Sequence, residues 1–122
     1  MRKFGELEAV IMHRLWAWGR PALVREMVDD LQKDRQIAYT TVMTVMDNLR
    51  KKGWLQRHAD GRAYRYEPLV SGDEYSARLM RQALAGSSDR PAVLMHFVET
   101  LSDDEAGALG EAFRRLTGQG AP

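Results

Sequence analysis

The sequence predicts a mainly α-helical fold with one small β-hairpin, divided into an N-terminal and a C-terminal part. Three observations carry this. Apolar residues recur at helical spacing in three successive segments before residue 50. After Gly53 the period drops to two on either side of Asp60-Gly61. Beyond Pro68 and Gly72 the helical spacing returns, opened twice by the sequence Ser-x-x-Glu, at Ser71 and Ser102.

In the first helix Leu7, Val10, Ile11 and Leu15 form one stripe, and Gly19-Arg20-Pro21 stops it near Trp18. Trp16 and Trp18 are read as covering the edge of the core, with a pocket lined by their indoles as the less favoured reading. A second helix carries Val24, Met27, Val28 and Leu31 inward and Arg25, Glu26, Asp29 and Asp30 outward, and ends around Lys33. Ala22-Leu23 is a candidate third short strand.

Residues 37–66 organise the rest. Ala38, Val42, Val45, Met46 and Leu49 share a buried stripe, while Thr40, Met43, Thr44, Asp47, Asn48 and Lys51 face the other way. Gly53 suits a left-handed C-cap, with Arg50, Lys51 and Lys52 in the last turn, where the helix dipole favours cations. Trp54–Ala59 and Ala63–Glu67 read as strands around an Asp60-Gly61 turn, with Arg57, Arg62 and Arg65 at or near the tip. Trp54, Leu55, Tyr64 and Tyr66 are expected to complete the core. Helix, helix, short turn, helix, hairpin is the order of a winged helix-turn-helix, in which the third helix enters a DNA groove and the hairpin is the wing. A short, hydroxyl-rich outer face suits base edges, and Lys and Arg suit phosphates.

Residues 71–117 read as three helices. Tyr75, Leu79 and Ala83 mark the first, Leu94, Phe97, Val98 and Leu101 the second, and Ala106, Leu109, Phe113 and Leu116 the third. So small a unit is marginal alone, and a second copy of the chain is the simplest cover for its apolar stripes. The expected organisation is therefore a DNA-binding domain over 1–70, a dimerisation module over 71–117 and a flexible tail over 118–122. Tyr75, Leu79, Leu94, Phe97, Val98, Leu109 and Phe113 are assigned to the dimer contact.

The formal net charge of +1 conceals an asymmetry: residues 1–70 hold 13 Lys+Arg against 9 Asp+Glu, and residues 71–122 hold 5 against 8. The polyanion-binding character is thus local to the first part. With no cysteine, disulfides, thiolate metal sites and cysteine nucleophiles are excluded. His13, His58 and His96 lack metal-ligand spacing, and Asp103, Asp104 and Glu105 are accounted for by helix capping. No nucleotide-binding or nucleophile motif occurs, so an enzyme is disfavoured and neither cofactor nor metal is expected. The N-terminus is too charged for a secretory signal and no apolar run spans a bilayer, which predicts a cytoplasmic protein. The competing regulatory readings are a winged helix used for protein–protein contact or RNA and one that answers a small ligand.

The segments LEAVIMHRLW (7–16), AYTTVMTVMDNLRKKGWL (38–55), RAYRYEPL (62–69) and HFVETLSDDEAGAL (96–109) resemble the penicillinase repressors, together with the methicillin-resistance and copper-responsive repressors. The resemblance implies a homodimeric repressor on an inverted-repeat, double-stranded DNA operator. It brings Thr40, Thr41, Met43, Thr44 and Asn48 near base edges and Lys51, Lys52, Arg57 and Arg62 to phosphates. It also implies relief of repression by proteolysis between His96 and Phe97 through a membrane sensor/protease pathway. Known targets have Asn where this chain has His96. The cysteines with which the copper-responsive branch holds metal are absent.

Overall fold

A computed structural model describes residues 4–118; the remainder of the expected tail, beyond Gly118, lies outside the described residues. The elements run α1 (Glu6–Trp18), β1 (Ala22–Leu23), α2 (Val24–Leu31), α3 (Tyr39–Lys51), β2 (Leu55–Asp60), β3 (Ala63–Pro68), α4 (Gly72–Ala85), α5 (Arg90–Glu99) and α6 (Asp103–Leu116). The chain divides into two compact units, Met1–Leu79 and Met80–Pro122. The mainly helical class with a small hairpin is as expected, and the segment Ala22–Leu23 does form a strand.

In the first unit, the three helical stripes close on one another. Ile11, Met12 and Leu15 of α1, Met27, Val28 and Leu31 of α2, and Val42, Met46 and Leu49 of α3 are wholly buried, joined by Leu55 and Tyr66 from the sheet. Each such aliphatic side chain contributes about 1.5–3 kcal/mol on leaving water. Met12 joins the α1 stripe, while Leu7 and Val10 are only partly buried and pack against the core. Ala38, expected in the α3 stripe, is exposed: it is the N-cap residue, with extended backbone, so helical spacing does not yet apply to it.

The sheet is antiparallel in the order β1-β3-β2, with Ala22 opposite Tyr66 and Arg57 opposite Tyr66 from the other side. The hairpin turn falls one residue later than expected. Asp60 pairs with Ala63, which leaves Gly61-Arg62 as the two-residue loop. Gly61 takes φ of 63° while no non-glycine residue among those described has positive φ, so glycine occupies the first turn position, where a II′-type turn requires it. The shift puts Arg62 at the tip. Tyr64, expected in the core, is 44% exposed, because the strand twist leaves it on the wing beyond the helices that bury Tyr66.

A second cluster closes the first unit at its chain ends. Tyr75 stacks on Phe4 with ring centroids 4.3 Å apart and meets Trp54 edge-on at 5.4 Å. Its hydroxyl accepts a hydrogen bond from the Phe4 amide at 3.2 Å. The Trp16 indole N–H donates to the Val70 carbonyl at 2.7 Å, and Gly72 lies so near that ring that an added Cβ would come within 3.3 Å of it. The Trp16 and Trp54 indoles are thus taken up in packing. Tyr75 corrects the expected assignment: it is a buried residue of the first unit, not of a dimer face, because the opening turns of α4 belong to that unit. The unit therefore reaches past the expected boundary at residue 70 to Leu79, itself partly buried.

In the second unit, helix starts are well specified. Asp89 accepts from the Ala92 amide ahead of Pro91, and Ser102 and Glu105 form a reciprocal capping box that opens α6. At Ser71 only half the box forms: its hydroxyl accepts from the Glu74 amide while Glu74 pairs with Arg78. Packing is a different matter. No described residue beyond Tyr75 is buried. Leu94, Phe97, Val98 and Leu109 are all exposed, Phe113 is 60% exposed and Leu116 84%.

Candidate nucleic-acid interface

Helix α3 ends in a Schellman motif: Gly53 N–H donates to the Arg50 carbonyl and Trp54 N–H to that of Leu49, both at 3.0 Å, with Gly53 at φ 88°. This sharp stop sends the chain straight from the helix into β2, so the hairpin rises beside α3. At the other end the Arg25 guanidinium lies 4.8 Å from the centre of the Tyr39 ring, linking α2 to the first residue of α3.

With Val42, Met46 and Leu49 buried, the opposite face of α3 is fixed outward. Thr40, Thr41, Met43, Thr44, Asn48 and Lys51 are all exposed. The face has a short, polar profile that can approach base edges closely, with Met43 and, at the helix start, Tyr39 as its exposed large side chains.

The cations divide into two groups. Arg62 stands exposed at the hairpin tip, with no ion pair among the described residues, and Lys51, though largely exposed, lies within ion-pair distance of Asp47. The others are engaged. Lys52 pairs with Glu8 of α1 at 2.7 Å, which turns it toward the protein body. Arg65 is held by Asp60 at 2.6 Å and by Glu26 at 3.3 Å. Arg57 sits over the Tyr64 ring at 4.0 Å and reaches Asp47 of α3 at 3.2 Å. Asp47 also accepts from Arg50 at 2.8 Å and lies 3.4 Å from the Lys51 ammonium. The Asp47–Lys51 spacing is legible in the sequence; the Arg57 contact is not, since it depends on where the wing rises.

Three carboxyls of the first unit are held below the usual carboxylate range. Glu8 is lowered chiefly by its hydrogen bond with Lys52, Glu26 by the Leu23 amide, and Asp47 by Arg50, all against a smaller opposing effect of burial. A carboxyl depressed in the folded state stabilises the fold fully above its unfolded value, about 4, and loses that contribution as pH falls through the folded value. The first unit should therefore keep a flat melting temperature from pH 7 to pH 5 and lose stability steadily below about pH 4. Melting curves across that range, repeated with Glu8→Gln and Glu26→Gln, should show the acid limb become shallower in both variants.

An outward, hydroxyl-rich third helix beside a hairpin with basic side chains defines a winged-helix transcriptional regulator. Comparison with known sequences supports a regulator. The family model described as penicillinase repressor matches residues 4–115. The chain is 43% identical over 119 residues to the transcriptional regulator BlaI of Mycobacterium tuberculosis, in both strain CDC 1551 / Oshkosh and strain H37Rv. That match takes in 95% of this chain and 86% of the relative. A solved structure of a MarR-like transcriptional regulator from Thermotoga maritima aligns over 95% of this chain and 76% of that one, at 21% identity and a TM-score of 0.48. The chain belongs to the penicillinase repressor family. No helix among the described residues is long and apolar enough to cross a membrane, and these residues gather no group of three or more His, Cys, Asp or Glu that could hold a metal ion.

Proposed function

We propose that the protein is a transcriptional repressor that binds an inverted-repeat operator in double-stranded DNA as a homodimer, and that proteolysis relieves it. The observation that carries the reading is the outward face of α3. Its exposed residues have the size and chemistry of groove-reading side chains and stand beside the wing cations. In this reading Thr40, Thr41, Met43, Thr44 and Asn48 approach base edges, and Lys51 and Arg62 meet phosphates. Arg57 and Lys52 also serve the backbone, but each, like Lys51, first has an intramolecular carboxylate to share or release.

The homodimer rests on the exposed apolar side chains of α5 and α6, Leu94, Phe97, Val98, Leu109 and Phe113, for which a second copy supplies the matching surface. Two heads so joined would meet half-sites one or more helical turns apart. The His96–Phe97 bond lies inside α5, with both side chains exposed. Proteases take extended backbone, so cleavage there requires α5 to open locally, which a short helix with no buried residue does at low cost. Cutting at that bond would divide the apolar stripe and separate the two heads.

A gel-shift of the purified protein on DNA from upstream of its own coding sequence, with a salt titration and unlabelled competitor, tests this. The expected result is a discrete complex on a site of twofold symmetry. Its log–log salt slope should be about −0.9 per phosphate neutralised. Binding indifferent to sequence or to salt would rule the reading out.

A further inference from the structure

The carboxylate on the reading helix calls for its own explanation. A negative charge on a surface meant for DNA is repelled by every phosphate it nears, yet Asp47 stands among the exposed side chains of α3, its own side chain 26% exposed. Its two oxygens are shared among three cations. Oδ1 takes Arg50 Nε at 2.8 Å and Arg57 Nη1 at 3.2 Å, and Oδ2 lies 3.4 Å from Lys51 Nζ. Arg50 and Lys51 are neighbours on the same helix. Arg57 is not: it comes from β2, with its guanidinium over the Tyr64 ring of β3 at 4.0 Å. Asp47 is therefore the side chain through which the reading helix and the wing are joined by charge.

We propose that Asp47 is a positioning and specificity-determining residue: it fixes the wing arginine Arg57 against α3 and keeps three cations from engaging DNA that offers no matching bases. The proposal rests on the DNA-binding reading above. Two consequences follow from the geometry. An arginine pinned between a carboxylate and an aromatic face presents its remaining N–H groups in one direction, so the spacing between wing contact and helix contact is set before DNA arrives. On DNA of arbitrary sequence, the same carboxylate both repels the backbone and occupies cations that would otherwise neutralise phosphates. Only a site that returns base contacts along α3 offsets that cost, and discrimination built by penalising the wrong partner is a general route to specificity.

The test is Asp47→Asn in the full-length protein, which keeps the shape and removes the charge. Two duplexes are used: the site the wild-type protein selects from DNA upstream of its own coding sequence, and a scrambled duplex of equal length. On the scrambled duplex the variant should bind about fivefold tighter at 0.15 M salt, with a salt slope steeper by about one ion, because the removed carboxylate had cancelled one positive charge at the contact. On the selected site affinity should fall about tenfold, the size of a lost charge-assisted hydrogen bond. The ratio between the two should thus drop by more than an order of magnitude. Arg57→Gln should weaken the selected site as well, and adding Asp47→Asn to it should change that affinity little, since the two act as one unit. If the two affinities of Asp47→Asn move together in either direction, or if neither moves, the proposal is wrong: loss of both is damage to the fold, and gain of both is bulk charge alone. Failure of the wild-type protein to prefer any site would instead overturn the DNA-binding reading itself, and this proposal with it.

Discussion

If the protein represses as the proposed homodimer, replacing Phe113 with Asp should leave it monomeric and weaken its hold on a two-half-site operator by about 100-fold or more. The reasoning starts from exposure. Phe113 is 60% exposed on α6, beside Leu109 one turn earlier and Leu116 one turn later. In the homodimeric reading, a phenylalanine buried between two copies becomes, as aspartate, a carboxylate in an apolar contact, and its desolvation opposes association. Affinity then falls because two linked heads reach the second half-site at high effective concentration, whereas two separate chains must each be captured from solution. Analytical ultracentrifugation reads the first effect and a gel-shift the second. A duplex with a single half-site supplies the control: there the variant should bind as the parent monomer does. Helical content by circular dichroism should be little changed, because α6 keeps its capping box at Ser102 and Glu105. An unchanged dimer mass would remove Phe113 from the dimer contact and leave the apolar face of α6 for some other partner.

Much of this molecule is legible before any coordinates, for a physical reason. The three helices of the first unit each bury a stripe of full aliphatic side chains, and that period survives in the sequence whatever the loops do. The outward face of α3 follows by subtraction, which is why Thr40, Thr44 and Asn48 can be named from spacing alone. Gly53 and Gly61 are equally readable, since each sits where positive φ is required. What is not legible depends on contacts distant in the chain. Strand alternation gives Tyr64 and Tyr66 the same face; only the position of the helices decides that one is buried and the other exposed. The Asp47–Arg57 link crosses from helix to wing, and Lys52 is withdrawn from the outer face by Glu8, which lies 44 residues earlier. Tyr75 misleads for a further reason. It falls on the apolar stripe of α4 and is indistinguishable by period from the side chains that remain exposed later in the chain.

That position yields a large effect of a different kind. Tyr75→Ala should destabilise the first unit by roughly 3–5 kcal/mol, the cost of emptying a buried aromatic site. For a unit of this size that lowers the melting temperature by at least about 12 °C. The loss combines the stack on Phe4 at 4.3 Å, the tilted contact with Trp16 and the edge contact with Trp54, and the acceptor for the Phe4 amide. Tyr75→Phe keeps the rings and gives up only the hydrogen bond, so its cost should be about 1 kcal/mol. The two variants together separate ring packing from the hydroxyl. A residue of the dimer contact would behave otherwise: its replacement would shift the monomer–dimer equilibrium and make the melting temperature depend more steeply on protein concentration. Tyr75→Ala should leave the association constant near that of the parent while the melting temperature falls at every concentration. The same geometry sets where the DNA-binding unit can be cut. A chain ending at Val70 lacks Tyr75 and bares Phe4, Trp16 and Trp54 to water, whereas one ending at Leu79 retains the cluster. The longer fragment should melt cooperatively as a monomer and the shorter one at a temperature lowered as in Tyr75→Ala. Equal melting of the two fragments would mean that the aromatic cluster contributes nothing to the first unit.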